Sequence, residues 1–127
     1  MKNYIPKHKS DVQAVEHLKS LPFKIVKPNA SELLECLQDL HWDVARGVAE
    51  YLVPHVNEIK DNLMNILNTN DELWKFGVIR SLIAKFQGKL DPELMSMIKR
   101  IADHPTKSEM DDDVDWAAKE IIANCNY

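Results

Sequence analysis

Apolar residues recur along most of this chain at the three- and four-residue spacing of amphipathic helices. The clearest stretch is 31–53, where Leu33 and Leu37 mark the face of one helix and Val48 and Leu52 the face of the next. β-branched residues are scattered rather than grouped in alternating runs, which disfavours a sheet. The pattern therefore predicts an all-α chain.

Helix-breaking residues and short polar segments between helices, which we call corners, divide the chain into an arm, a capping helix and helix pairs. We predict a single helical-repeat domain over 1–127, with an extended arm at 1–9, a capping helix and connector at 10–29, and helix pairs at 31–54, 55–88 and 91–124.

Residues that favour helix ends stand at most of these boundaries. We expect Ser10, Ser31, Asp43 and Asp91 to act as N-caps and Gly88 to end its helix as a C′ residue.

The second helix pair repeats the first with a shift of about 30 residues, a period typical of stacked helical repeats. Leu33 then aligns with Leu63, and Gly47 with Gly77. A glycine inside a helix costs about 1 kcal/mol relative to alanine, so its recurrence at one position predicts close helix packing there. The third pair fits when its acidic segment is treated as an insertion in the corner.

Two units of the chain, LLECLQDLHWDVARGVAEYL and LMNILNTNDELWKFGVIRSL, resemble HEAT repeats. The succession Pro6-Lys7-x-Lys9-x-Asp11, LLxxLQDxxWxVA and NDELWK is also similar to a family of small bacterial proteins classified as domain of unknown function 5071. The resemblance extends from Pro6 to about Ile122. It implies a bacterial source and a short α-α superhelix (HEAT-like or armadillo-like), with about three helix pairs and an N-terminal capping helix. It carries no activity, and Asp43 stands where the family is expected to have proline.

Composition limits the possible partners and compartments. A net charge of -4 over 127 residues disfavours nucleic acid, which requires a basic face. Cys36 and Cys125 form no CxxC motif, and the first residues lack the apolar region of a signal peptide. No apolar run approaches the length of a membrane span. We expect a cytoplasmic protein that is a monomer or a weak homodimer, with no membrane association.

All three tryptophans follow an aspartate by three positions, and second helices carry basic residues. A structural interpretation has each aspartate bracing a corner, each tryptophan holding the incoming helix, and each basic residue pairing with a corner carboxylate such as Asp39 or Asp71. The functional interpretation is a row of anchors for a protein partner, with Trp42 the tryptophan expected to be partly exposed. The candidate partner-binding residues are Asp39, Trp42, Asp43, Arg46, Asp71, Trp74, Lys75, Asp111, Asp112 and Asp113.

The acidic segment 109–115 carries the densest charge in the chain. Its spacing resembles the start of an EF-hand, but Trp116 and Ile122 occupy the positions that require glycine and glutamate. Acids that favour a helix N-terminus explain the cluster, and a docking site for a basic partner stays open.

Catalytic and cofactor motifs are missing from the sequence. It contains no HExxH, P-loop, GxSxG or GxGxxG motif, so we expect no enzyme, metal or cofactor. The leading hypothesis is a protein–protein interaction module with an unknown partner. The alternatives are an immunity or antitoxin-like protein that neutralises a bacterial toxin, and a nucleic-acid-binding helical repeat that uses Arg46, Lys75, Arg80 and Lys119.

Overall fold

The computed structural model describes residues 3–124, and within them every regular element is a helix. The α-helices are α1 (Val12–Lys19), α2 (Phe23–Val26), α3 (Ala30–Leu34), α4 (Asp43–Leu52), α5 (Lys60–Leu67), α6 (Glu72–Ser81), α7 (Pro92–Asp103), α8 (Lys107–Asp111) and α9 (Val114–Ala123). Short 3₁₀ turns lie at Lys27–Asn29, Glu35–Leu37, Val53–His55, Asn57–Ile59 and Ile83–Lys85. The prediction of an all-α chain is confirmed.

Four helices pack on one another in chain order. Helix α1 packs on α4, α4 on α6 and α6 on α9, while α5 contacts α7. The 3₁₀ turn Glu35–Leu37 lies against both α4 and α6. Large side chains from most of these regions are fully buried, among them Leu18, Leu37, Leu52, Leu67, Ile79 and Ile98.

Both helical glycines lie where another element approaches closely. A Cβ atom at Gly47 would overlap Cγ1 of Val15 in α1. One at Gly77 would overlap the backbone carbonyl oxygen of Leu37. The close packing predicted from the repeated glycine is confirmed, although the two positions face different neighbours.

Asp91 caps its helix as predicted, by accepting a hydrogen bond from Glu93 N at 2.8 Å, and Pro92 takes the first helical position. Ser10 does not cap α1. Asp11 does so instead, because its carboxylate accepts hydrogen bonds from the backbone N–H groups of Lys7 and Ala14.

Three other boundary predictions are wrong. Ser31 lies inside α3, because the chain is already helical from Phe23. Asp43 is the first residue of α4 rather than its cap, and the carbonyl of Lys9 accepts the neighbouring Val44 N–H at 3.1 Å. Gly88 ends no helix, because α6 stops at Ser81 and the chain is already extended at Phe86.

The predicted connector and the predicted corner insertion both contain helices. Pro22 precedes α2, and Pro28 lies in the first turn of the next 3₁₀ segment, positions where a missing N–H is tolerated. The insertion forms α8, whose capping box joins Thr106 and Glu109.

Over residues 3–9 the arm runs through turns and bends rather than in the extended form that the sequence suggested, and it is packed against the body. Tyr4 is buried, and its hydroxyl donates to Asn29 Oδ1 at 2.7 Å. Together with the Lys7–Asp11 and Lys9–Val44 hydrogen bonds, this contact fixes the arm across the starts of α1, α3 and α4.

Candidate functional site

The structure separates the ten candidate residues into a first corner before α4, a second corner before α6, and the exposed acids around α8. Asp71 belongs to the second corner and caps α6 by accepting from Trp74 N at 3.1 Å. The indole of Trp74 is half-buried and donates through Nε1 to the carbonyl oxygen of Leu34 at 2.9 Å. Both side chains therefore serve the fold.

Lys75 is almost wholly buried, with 3% of its surface exposed. Its Nζ donates to the carbonyl oxygen of Thr69 at 3.1 Å and to Glu109 Oε2 at 2.7 Å. The carboxylate oxygen Oε1 of Glu72 lies 2.8 Å from the same Nζ, although it is not aligned for a hydrogen bond. A lysine enclosed in this way is unavailable to a partner.

Glu109 is fully buried at the centre of this network. Arg100 donates to it in bidentate fashion, from Nη1 to Oε1 at 2.5 Å and from Nη2 to Oε2 at 3.0 Å. Thr106 N also donates to this carboxylate, at 2.8 Å. Burial alone would raise the pKa of this carboxyl, but hydrogen bonds from Arg100, Lys75 and Thr106 lower it from 4.5 to about 2. We call Glu72, Lys75, Arg100 and Glu109 the ionic cluster; it ties α6 to α7 and α8.

The first corner places its polar groups near the surface. Asp39 accepts from the backbone N–H of His41 at 2.9 Å, and this hydrogen bond lowers the pKa of the Asp39 carboxyl. Asp43 and Arg46 are exposed, and Arg46 Nε lies 3.8 Å from Glu50 Oε2. Arg46 and Lys75 thus pair with the acids Glu50 and Glu109, and not with the corner aspartates that the sequence suggested.

A groove of about 460 Å³ lies between the docked arm and this corner. We call it the Trp42 groove; it is lined by residues 5–9, Glu32, Glu35, Cys36, Trp42 and Val44. Burial, assisted by the charge of Glu35, raises the pKa of the Cys36 thiol to about 11. The thiol is therefore protonated at neutral pH and a poor nucleophile.

The exposed acids lie around α8 and the start of α9. Asp111 pairs with Lys107 at 3.2 Å, and Asp112 is exposed. Asp113 precedes α9 in the left-handed conformation, with φ of 61°. These three residues connect the end of α8 to the start of α9.

Trp116 projects from α9 with 45% of its surface exposed, which makes it more exposed than the half-buried Trp42. Trp42 is partly exposed, as expected, but the sequence did not single out Trp116. The guanidinium of Arg80, on α6, lies 4.9 Å from the centroid of the Trp116 ring, within cation–π range.

Two further apolar side chains on adjoining helices face solvent. Met110 is 49% exposed on α8, and Leu73 is 58% exposed on the same face of α6 as Arg80, two turns earlier. We call the set formed by Leu73, Arg80, Met110, Asp111, Asp112, Asp113 and Trp116 the α8–α9 surface.

The described residues contain neither a metal-binding cluster nor a membrane-spanning helix. Within residues 3–124, no group of three or more His, Cys, Asp or Glu side chains is arranged to hold a metal ion. No helix in that range is long and apolar enough to cross a membrane.

The fold and these surfaces define an all-helical domain with a buried ionic cluster, a groove beside its docked arm, and an exposed aromatic and acidic surface. The sequence profile of the family described as Domain of unknown function (DUF5071) matches residues 4–122, and the chain belongs to that family. A search among curated proteins finds no match.

Sequence reasoning overlooked the buried acid and the exposed tryptophan, and only the buried acid had a signal in the sequence. Thr106-Lys107-Ser108-Glu109 has the S/T-x-x-E spacing of a capping box, which holds the glutamate against the helix start. For Trp116, the buried residues that the structure places in α9 are Val114, Ala117, Ala118 and Ile121, a stripe that leaves position 116 outside.

Proposed function

We propose that this protein is a non-enzymatic protein–protein interaction module and that the α8–α9 surface contacts its partner. The observation that carries the proposal is the exposed Trp116 ring, held beneath the Arg80 guanidinium. Tryptophan and arginine dominate binding hot spots, because a large apolar area and several donors are buried together.

The helical framework supports this proposal. Packing of α1 on α4, α4 on α6 and α6 on α9 suits a short HEAT-like superhelix, in which each helix pair is covered by the next. Such a stack presents one continuous face of second helices. Helices α6 and α9, which carry Arg80 and Trp116, belong to that face.

The exposed carboxylates of this surface favour a partner whose basic residues surround its contact with Trp116. Asp112 and Asp113 are exposed and form no ion pair with another described residue, so their charges are available to a cation. Complementary charges at the rim of an interface speed association and select the partner. Met110 and Trp116 provide exposed apolar area on the same surface.

The test is covalent capture at a defined position. We would place a photo-crosslinking amino acid at Met110 and, as the matched control, at the equally exposed Ile25. Both proteins would be irradiated in bacterial extract. The proposal predicts adducts from position 110 that are missing from position 25 and that disappear when Trp116→Ala and Asp112→Lys are added.

Adducts that survive both substitutions would refute the α8–α9 surface as the contact site. Circular dichroism of each variant verifies that the helices are retained. A Trp42→Phe variant that loses the adducts while Trp116→Ala keeps them would move the contact to the first corner.

A more specific version is an immunity or antitoxin-like protein that blocks a basic nuclease toxin. The exposed Asp112 and Asp113 beside Trp116 favour it, because a nuclease carries a basic face for its substrate. Co-expression of this protein should restore the growth of cells that express a candidate toxin, and Asp112→Lys should abolish the rescue.

The positions of the basic residues do not support a nucleic-acid-binding function. Lys75 is buried, Arg46 and Lys119 pair with acids, and Arg80 lies over Trp116.

A further inference from the structure

A cavity of about 540 Å³ lies where the segment that follows α6 meets α7 and α9. We call it the α9 cavity; its apolar lining consists of Ile83, Ala84, Phe86, Leu90, Met95 and Ile121. We propose that it binds a free fatty acid, a carboxylate head on a single alkyl chain. The volume lies within the range of about 300–1,000 Å³ that is typical of small-molecule pockets.

The apolar walls of the cavity come from three parts of the fold. Ile83 and Leu90 are buried in the segment between α6 and α7, and Ile121 is buried on α9. Met95, on α7, is half-buried, and its unbranched side chain can adapt to an irregular apolar guest. Enclosure between three elements suits a slender alkyl chain, because its removal from water is favourable along its whole length.

The charged groups of the cavity favour an anion. Arg80 and Lys89 line it together with one carboxylate, Glu120, so one positive charge is in excess. None of these three groups forms an ion pair with a described residue. A neighbouring cavity of about 310 Å³, which shares Lys89 with the first, adds Lys99 and no acid. In a protein whose net charge is -4, this local excess matches a head group with a single negative charge.

Arg80 is held where it can receive a carboxylate. Its guanidinium lies 4.9 Å from the centroid of the Trp116 ring, and no described residue accepts a hydrogen bond from it. The N–H donors of a guanidinium form a planar fork that matches a carboxylate. Arg80 also belongs to the α8–α9 surface, but the fatty acid site does not depend on the partner proposed there.

The wall that carries Lys89 is fixed in place. Asn57 Nδ2 donates to the carbonyl oxygen of Lys89 at 2.9 Å, and Asn57 Oδ1 accepts from Asp91 N at 2.7 Å. The acids that follow Lys89 already have a cation, since Lys60 Nζ lies 3.2 Å from Glu93 Oε1 and 3.9 Å from Asp91 Oδ2. The charge of Lys89 is therefore available to a guest, and a preformed wall costs little ordering on binding.

The experiment titrates full-length protein with decanoate, below the concentration at which it forms micelles, and follows isotope-labelled methionine methyl groups by NMR. A Met95→Leu variant assigns the Met95 signal. We expect a saturable shift at Met95 and none at Met64 or Met110, which do not line the cavity. Octanoate, shorter by two CH₂ groups, should bind roughly tenfold more weakly, because each buried CH₂ contributes about fourfold in affinity. Decyltrimethylammonium has the same chain and the opposite charge, and it should bind more weakly than decanoate.

Three substitutions locate the site. Lys89→Gln should weaken decanoate binding about threefold, in the range of an exposed ion pair. Lys24→Gln removes the same charge from the exposed surface of α2 and should leave the affinity unchanged. Ala84→Trp fills the cavity from its exposed side and should abolish the Met95 shift, and circular dichroism verifies that its helices are retained.

Four results would each overturn the proposal. They are the lack of a saturable Met95 shift, ammonium binding as tight as that of decanoate, an equal loss of affinity in Lys89→Gln and Lys24→Gln, and undiminished binding to Ala84→Trp.

Discussion

Gly47 and Gly77 lie about one repeat apart in the sequence, yet a side chain at each position would meet a different kind of atom. At Gly77 the occupant is the backbone oxygen of Leu37, which can move only if the 3₁₀ turn moves. We predict that Gly77→Ala lowers the free energy of unfolding by about 1–3 kcal/mol, despite the helix propensity of alanine. Urea denaturation followed by circular dichroism measures the change.

Gly47→Ala is the matched comparison. Its new methyl group meets Cγ1 of Val15, a side-chain atom on α1 that can shift more readily than backbone. The same substitution should therefore cost less here than at Gly77. Equal losses of unfolding free energy at the two positions would show that contact with backbone does not explain the destabilisation at Gly77.

Asp113 carries the one positive φ found among the described non-glycine residues. Aspartate tolerates this left-handed conformation, whereas a β-branched residue does not. We predict that Asp113→Val lowers the free energy of unfolding by about 1–3 kcal/mol. Thermal unfolding should show a decrease in Tm, while Asp112→Val, at a negative φ, should leave Tm nearly unchanged.

The three tryptophans show what a spacing rule can and cannot reveal. Each follows an aspartate by three residues, yet Trp74 is anchored by a hydrogen bond, Trp42 lines a groove and Trp116 faces solvent. Local spacing could predict the cap at Asp71, because that contact lies within one helical turn. Exposure depends on which helices pack alongside, and that information lies far away in the sequence.

At the scale of elements, the ionic cluster determines how α8 joins the rest. Glu109→Gln would keep the shape of the side chain but leave Lys75 and Arg100 without their shared counter-charge. Removing one partner of a buried ion pair typically costs about 3–5 kcal/mol, and we predict a loss of this order in the free energy of unfolding. Urea denaturation at neutral pH measures it.

Asp111→Asn is the control, since Asp111 lies on the same helix but is exposed and pairs only with Lys107. It should change the free energy of unfolding by no more than about 0.5 kcal/mol. A similarly small effect for Glu109→Gln would mean that the ionic cluster does not stabilise the fold.

The sequence predicted the long amphipathic helices well and the short ones poorly. Helices α4, α5, α6 and α7 carry enough apolar repeats to be recognised, and Asp91-Pro92 marked the start of α7. Helices α2 and α3 were missed or misplaced because prolines normally indicate a connector. Here Pro22 and Pro28 lie at helix starts, where tertiary packing of Val26 and Ala30 supplies the stability.

At the scale of the molecule, long-range contacts create both candidate sites. The Trp42 groove exists because Tyr4 reaches Asn29, and Trp116 meets Arg80 because α6 packs on α9. Periodicity shows that a helix has an apolar face but not which partner covers it. The repeat alignment could therefore predict stacked helices, while the groove and the α8–α9 surface required the structure.

The ionic cluster also makes the stability of the whole molecule depend on pH. The Glu109 pKa falls from 4.5 to about 2 on folding, so the unfolded chain binds the proton more readily than the native protein. The resulting stabilisation is fully present above about pH 4.5 and is lost as the pH falls toward about 2. We predict that urea midpoints recorded from pH 7 to pH 2 decrease steeply in this window for wild type. They should decrease less for Glu109→Gln, which has no carboxyl to protonate. Parallel curves for the two proteins would show that other carboxyl groups govern acid unfolding.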